Sequence, residues 1–344
     1  MRRYYQIKIL TAILLAAVVG ISGGCSYKEA AETSEIPVSV ETESTDIQIT
    51  GTESKQTEEK ETQRQETQKM ERTGHETEQA KQETEVQKSE SGKSKTIEWN
   101  TDWKYAKNSK IHSDSVTLYY ASTDIANGKT VCVNAGHGTS GGSDVYTLCH
   151  PDGSPKVTGG STGKGQTKAA AVAGGTTMND GTSESAVTLK LALAVKEQLL
   201  AEGYNVLMIR EDSDVQLDNI ARTVMANQNA DCHIALHYDS TQSDKGIFYI
   251  GVPDVDSYRR MEPVASHWQE HERLGEALID GMKQNDLKIF GEGVVDIDLT
   301  QTSYSTIPSV DLEVGDRASD YSAQTLEKLA EGIAAGVEKF ITEQ

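Results

Sequence analysis

From Thr130 to Phe340 the chain alternates two hydrophobic rhythms, and few folds accommodate that alternation. Short apolar or β-branched runs occur at Thr130–Asn134, Asn205–Ile209, Cys232–Leu236, Gly246–Ile250, Val294–Ile297 and Val310–Val314. Between them lie stripes at helical spacing. Val187, Leu191, Val195 and Leu199 form one that stops near Gly203; Leu217, Ile220, Ala221 and Val224 form a second. Leu274, Leu278 and Met282 form a third, and Leu326, Leu329, Ile333, Val337 and Phe340 a closing one. Compact apolar runs read as strands covered on both sides, and strands that alternate with amphipathic helices need crossover connections. The pattern predicts an α/β fold: an open, twisted, mostly parallel sheet with helices on both faces, in one domain. A segment of about 240 residues is long enough to bury a sizeable single core.

The chain before this region is of another kind. Arg2, Arg3 and Lys8 precede an apolar run from Ile9 to Ile21, of secretory length and short for a membrane span. Residues 1–24 therefore read as a signal peptide. The run ends in Ser22-Gly23-Gly24-Cys25, which resembles the lipobox of bacterial lipoproteins with serine where leucine is usual. That resemblance predicts lipidation at Cys25 and an extracytoplasmic domain anchored to the bacterial cell membrane. Residues 25–100, rich in Glu, Thr, Gln, Lys and Ser, have too little apolar surface to offset ordering entropy. They are expected to form a disordered acidic and polar tether spanning roughly 45–50 Å. The folded domain is then 101–344, opening near Trp99 or Trp103. The formal net charge of −20 argues against nucleic acid as a partner. Besides Cys25 there are Cys132, Cys149 and Cys232, an odd set that cannot pair completely. Cys132 and Cys232 fall in strands and read as small buried side chains.

Chemistry-bearing residues stand at the ends of these elements. The strand Val131–Ala135 runs into Gly136-His137-Gly138, so it delivers an imidazole into a glycine turn. Ligands in open α/β sheets bind beyond the carboxyl ends of strands. His237 follows the strand Cys232–Leu236, and Glu313 closes another apolar strand before Gly315. A carboxylate there is costly unless paired or used. Glu184 opens the first helix behind Thr182 and Ser183, either of which suits an N-cap. Two histidines and a glutamate with an open fourth position make a catalytic zinc set, and a second carboxylate can move the proton. Asp144, Asp239 and Asp311 are alternatives in either role, and His233 reads as structural.

These segments together resemble zinc-dependent N-acetylmuramoyl-L-alanine amidases of the amidase-3 family. That family has a strand ending D-P-G-H-G, a glutamate opening the next helix, R-x-x-x-A-N, a strand ending S-I-H-A-N, and P-x-x-L-x-E-x-G-F. The counterparts here are Asn134-Ala135-Gly136-His137-Gly138, Glu184, Arg222 to Asn227, Ala235-Leu236-His237-Tyr238-Asp239, and Pro308 to Asp316. They are collinear over about residues 130–340. The resemblance implies that His137, Glu184 and His237 bind Zn²⁺ and that Glu313 is the catalytic carboxylate. It also implies peptidoglycan as the partner, cleaved between the muramoyl lactyl group and L-alanine of the stem peptide. Arg222 would have a supporting role. The chain departs from the pattern at Asn134-Ala135, Tyr238-Asp239 and Asp316, and in a longer gap between His137 and Glu184.

Two other readings compete. His267-Trp268-Gln269-Glu270-His271 fits the H-x-x-E-H signature of a zinc metallopeptidase, with both histidines on one helical face. The same face continues into Leu274 and Leu278, so these histidines also suit the border of a core. A non-catalytic cell-wall-binding lipoprotein is the third reading. The Gly-, Ser- and Thr-rich stretch between Gly138 and Ser183 reads as a site rim or lid.

Overall fold

The computed structural model describes residues 93–343. The signal peptide, the lipidation position Cys25 and the tether up to residue 92 lie outside the described residues.

The strands are β1 (Ser94–Ile97), β2 (Val116–Tyr119), β3 (Thr130–Ala135), β4 (Tyr146–Leu148), β5 (Lys168–Ala170), β6 (Asn205–Met208), β7 (Cys232–Asp239), β8 (Ile247–Gly251), β9 (Ile289–Asp296) and β10 (Ser309–Asp316). The α-helices are α1 (Glu184–Ala201), α2 (Asn219–Asn229), α3 (Asp256–Arg259), α4 (Val264–Gln284), α5 (Thr300–Tyr304) and α6 (Ala323–Thr342). Eight strands form one sheet in the order β1-β2-β6-β3-β7-β10-β8-β9. Its centre, β6-β3-β7-β10, is parallel. The β1-β2-β6 edge is antiparallel, and β8 and β9 run parallel to each other but against β10. The sheet is thus mixed but mostly parallel, as the alternation of rhythms predicts.

The period-two alternation of β3 explains why both faces are covered. Val131, Val133 and Ala135 join Leu191, Val195, Leu278 and Ile333, from α1, α4 and α6, in the main core. Cys132 faces the other way and packs with Leu207, Ala221 and Met225, the last two from α2. Ser183 caps α1 by accepting from the Ala186 N–H, and Asp218 caps α2 at Ala221 N, 2.8 Å. Each cap satisfies a donor that the helix cannot use internally. The cysteines at 132, 149 and 232 are free and buried.

Several elements differ from expectation. Strand β1 already pairs with β2 at Ser94, ahead of Trp99 and Trp103. Strand β7 continues through His237 to Asp239, so His237 lies within the strand. Strand β9 begins at Ile289, five residues before the apolar run at Val294. The stretch after Gly138 is structured: β4 and β5 form a hairpin, and its far end is fastened to a buried carboxylate. Asp298 accepts from Val157 N at 2.6 Å and Thr158 N at 3.1 Å. Its side chain also meets Lys156 Nζ and His150 Nε2, each at 3.1 Å. A buried charge with this many partners is a pin that holds the segment to the sheet's other connections.

Candidate metal centre and active site

The site forms where β3, β7 and β10 present side chains on one face beside the start of α1. His137 follows β3 in a left-handed backbone conformation, φ 61°, which costs a non-glycine residue energy. Two buried arginines hold this turn. Arg222 on α2 donates to Asn134 Oδ1 and Ala135 O at 3.1 Å, to His137 O at 2.6 Å and to Thr139 Oγ1 at 2.8 Å. Arg210, just after β6, donates to Ala135 O at 3.3 Å, and to Gly136 O at 3.0 Å and Ser185 O at 2.8 Å. The forked guanidinium suits this work, because one side chain reaches several carbonyls at once. A methyl group on Gly136 would lie 2.4 Å from His237 Cε1, so glycine there makes room for the second imidazole.

His137, Glu184 and His237 each turn one ligand atom inward, all within 4.8 Å of one another. His137 Nε2 lies 2.9 Å from Glu184 Oε1 and 3.0 Å from His237 Nδ1, which in turn is 3.1 Å from Glu184 Oε1. Tetrahedral zinc with bonds of about 2.0–2.1 Å sets its ligands about 3.3 Å apart. The cradle is therefore the right size for such an ion, slightly contracted. His137 Nδ1 donates to Ala173 O at 2.7 Å, which leaves Nε2 free to ligate. Glu184 is buried and accepts from Thr176 N at 2.7 Å and Tyr238 N at 3.0 Å. Burial would raise its carboxyl, but the two imidazoles outweigh burial and hold it well below the usual carboxylate range. Burial would likewise lower His237, but the Asp311 and Glu184 carboxylates prevail and push it up to about 10.

Glu313 pairs in register with His237 across β10 and β7, so it stands beside the cradle without joining the ligand set. Its Oε2 is buried with no hydrogen-bond partner. Burial and the neighbouring Asp311 raise its carboxyl well above the ordinary value. That oxygen is therefore unengaged by the protein and lies beside the cradle.

The remaining expected residues separate. Asp239 is paired with Lys245, and Asp144 is exposed. Asp311 reaches to 3.6 Å from His237 Nε2. The H-x-x-E-H residues do not gather ligands among the described residues. His271 Nδ1 accepts from Ser309 N at 3.0 Å in the core, and Glu270 binds Arg273. Buried His233 lies 3.2 Å from Asn134 Nδ2 and 3.3 Å from Ser309 Oγ, the structural role the sequence suggests. Arg210, Ala173 and Thr176 escape sequence reasoning, because only tertiary structure brings them to the site.

Fold and site together describe an open α/β sheet whose His137, Glu184 and His237 could hold a metal ion, with a free carboxylate beside them. The chain belongs to the family of N-acetylmuramoyl-L-alanine amidases, since the Amidase_3 model matches residues 131–342. Among solved structures it is similar to the apo N-acetylmuramyl-L-alanine amidase Ami1 from Mycobacterium abscessus. The two are 20% identical with a TM-score of 0.50, over 63% of this chain and 100% of the other. Ami1 from Mycobacterium smegmatis matches at 20% identity and TM-score 0.49, over 64% and 99% of the two chains. AmiC2 of Nostoc punctiforme matches at 18% and 0.44, over 63% and 99%. The first of these shows a shared fold. No curated protein matches the chain.

Proposed function

We propose that the protein is a zinc-dependent peptidoglycan amidase, cleaving the amide between N-acetylmuramic acid and L-alanine of the stem peptide. The observation that supports this most is the convergence of His137, Glu184 and His237 beside the unpartnered Glu313 in a chain of this family. His137 Nε2, His237 Nδ1 and a Glu184 oxygen would hold the ion. When bound, Zn²⁺ supplies Lewis acidity toward the amide carbonyl and lowers the pKa of water to about 7. Glu313 accepts the proton of the attacking water at Oε2 and returns it to the alanine nitrogen as the C–N bond breaks. One water is consumed, leaving a lactyl carboxylate and a free L-alanine amino group.

In this reading the signal peptide (residues 1–24) directs export, and a lipid on Cys25 with the tether behind it keeps the domain outside the cytoplasm, within reach of the wall. The test is digestion of purified peptidoglycan by the zinc-loaded protein. New L-alanine amino termini without new reducing sugar ends support the reading. Absence of new termini, or activity abolished by His267→Ala but not by His137→Ala, contradicts it.

A further inference from the structure

One carboxylate at the site has no part in the chemistry above. Asp311 and Glu313 are two residues apart on β10 and so face the same side of the sheet as His237. In the P-x-x-L-x-E-x-G-F pattern the leucine position is occupied by Asp311, so an acid replaces an apolar side chain next to the cradle. Asp311 Oδ1 is buried and has no hydrogen-bond partner. Its Oδ2 lies 3.6 Å from His237 Nε2, the ring nitrogen turned away from the cradle. That distance is just beyond a hydrogen bond, with the two groups facing each other. The opposite nitrogen, Nδ1, faces His137 Nε2 and Glu184 Oε1.

We infer that Asp311 is a positioning residue for the metal centre, accepting from the His237 Nε2–H so that the Nδ1 lone pair points at the cation. The argument is one of pairing. A buried carboxylate without donors is unfavourable unless a cationic or N–H group faces it, and for Asp311 that group is the His237 ring. A ligating imidazole in turn needs its other nitrogen fixed, since that bond sets both tautomer and ring angle. His137 has this support from Ala173 O. His237 has it from Asp311. The two ligands are thus held by different devices, a backbone carbonyl for one and a charged side chain for the other. The charged device also strengthens the donor by polarising the ring.

This inference rests on the reading of the cradle as a zinc site, and its test separates the two. Metal-free protein is titrated with Zn²⁺ against a competing chelator, for the parent and for Asp311→Asn, Asp311→Leu and His237→Ala. Thermal melts verify that each variant folds, and the visible spectrum of the Co²⁺-loaded form reports ligand geometry independently of activity. The expected result is zinc affinity weakened about 10- to 100-fold in both Asp311 variants, with a shifted Co²⁺ spectrum. Parent affinity and an unchanged spectrum in either folded Asp311 variant overturn the positioning role while leaving the zinc site standing, provided His237→Ala loses the metal. Retention of zinc by His237→Ala overturns the cradle itself.

Discussion

At the scale of single residues, the account divides labour between groups that hold and a group that reacts. Glu313 is placed beside the cradle but outside it, with a free, buried oxygen. Glu313→Gln removes the proton acceptor and keeps the shape. It should lower kcat by about 10²- to 10⁴-fold while zinc content stays at the parent level. Steady-state kinetics and metal analysis on one preparation check this. Arg222 acts through the backbone. It is buried and spends its donors on Leu217 O, Asn134 Oδ1, Ala135 O, His137 O and Thr139 Oγ1. Arg222→Met strands those acceptors in a dry interior, where each costs about 1–3 kcal/mol. Relaxation recovers part of this, so a loss of about 3–5 kcal/mol is expected in urea unfolding. The strained φ of His137 should relax with it, and zinc binding should weaken.

At the scale of elements, the long segment between Gly138 and Ser183 does more than connect β3 to α1. It contributes Ala173 O to His137 and Thr176 N to Glu184, so it is a wall of the site. Its far end is pinned by Asp298, whose partners include Lys156, His150, Val157 and Thr158. Asp298→Ala leaves the buried Lys156 ammonium without its carboxylate partner, holding only the backbone carbonyl of residue 298, a change that costs up to about 3–5 kcal/mol. Limited proteolysis should then cut faster between residues 149 and 160, with the parent resistant there. The positions of His137, Glu184, His237 and Glu313 could be read from sequence because each stands at the end of an apolar run or at a helix cap. The wall could not be read so: its contacts come from backbone atoms of a Gly- and Thr-rich stretch with no periodicity. Only the last part of strand β9 shows in the sequence, because Gly291 and Gly293, at φ 55° and 92°, interrupt its alternation. Strands β1 and β2 are short, β1 largely exposed at the sheet edge and β2 partly buried, and α5 (TQTSY) has no apolar stripe.

At the scale of the whole molecule, stability depends on keeping a polar layer neutral beneath the site. His233 and His271 lie buried on either side of Ser309. Burial pushes each imidazole down to about 3. The unfolded chain binds protons on these groups near pH 6.5 and the folded chain does not, so the unfolded state gains protons first as pH falls. Their contribution is complete above about pH 6.5 and is lost progressively as pH drops toward 3. Asp298 adds to this further down, because hydrogen bonds and Lys156 overcome burial and hold its carboxyl below the usual range. Thermal melts from pH 8 to 4 should show Tm falling steadily below pH 6.5, and His271→Gln should flatten the slope. Mostly parallel sheet, helices on both faces and a core of Val, Leu and Ile follow from the hydrophobic rhythm alone. Parallel strands bring the carboxyl ends of β3 and β7, and so residues 137 and 237, to one edge; that Glu184 joins them is what the resemblance to the amidase-3 family implies. The central claim is that these three side chains seat one divalent cation, and metal analysis of the purified protein and its point variants tests it most directly. One zinc per chain is predicted for the parent, for Glu313→Gln and for His267→Ala with His271→Ala, and none for His137→Ala, Glu184→Ala or His237→Ala. Zinc that persists without His137 and His237, or that leaves with His267 and His271, contradicts the account.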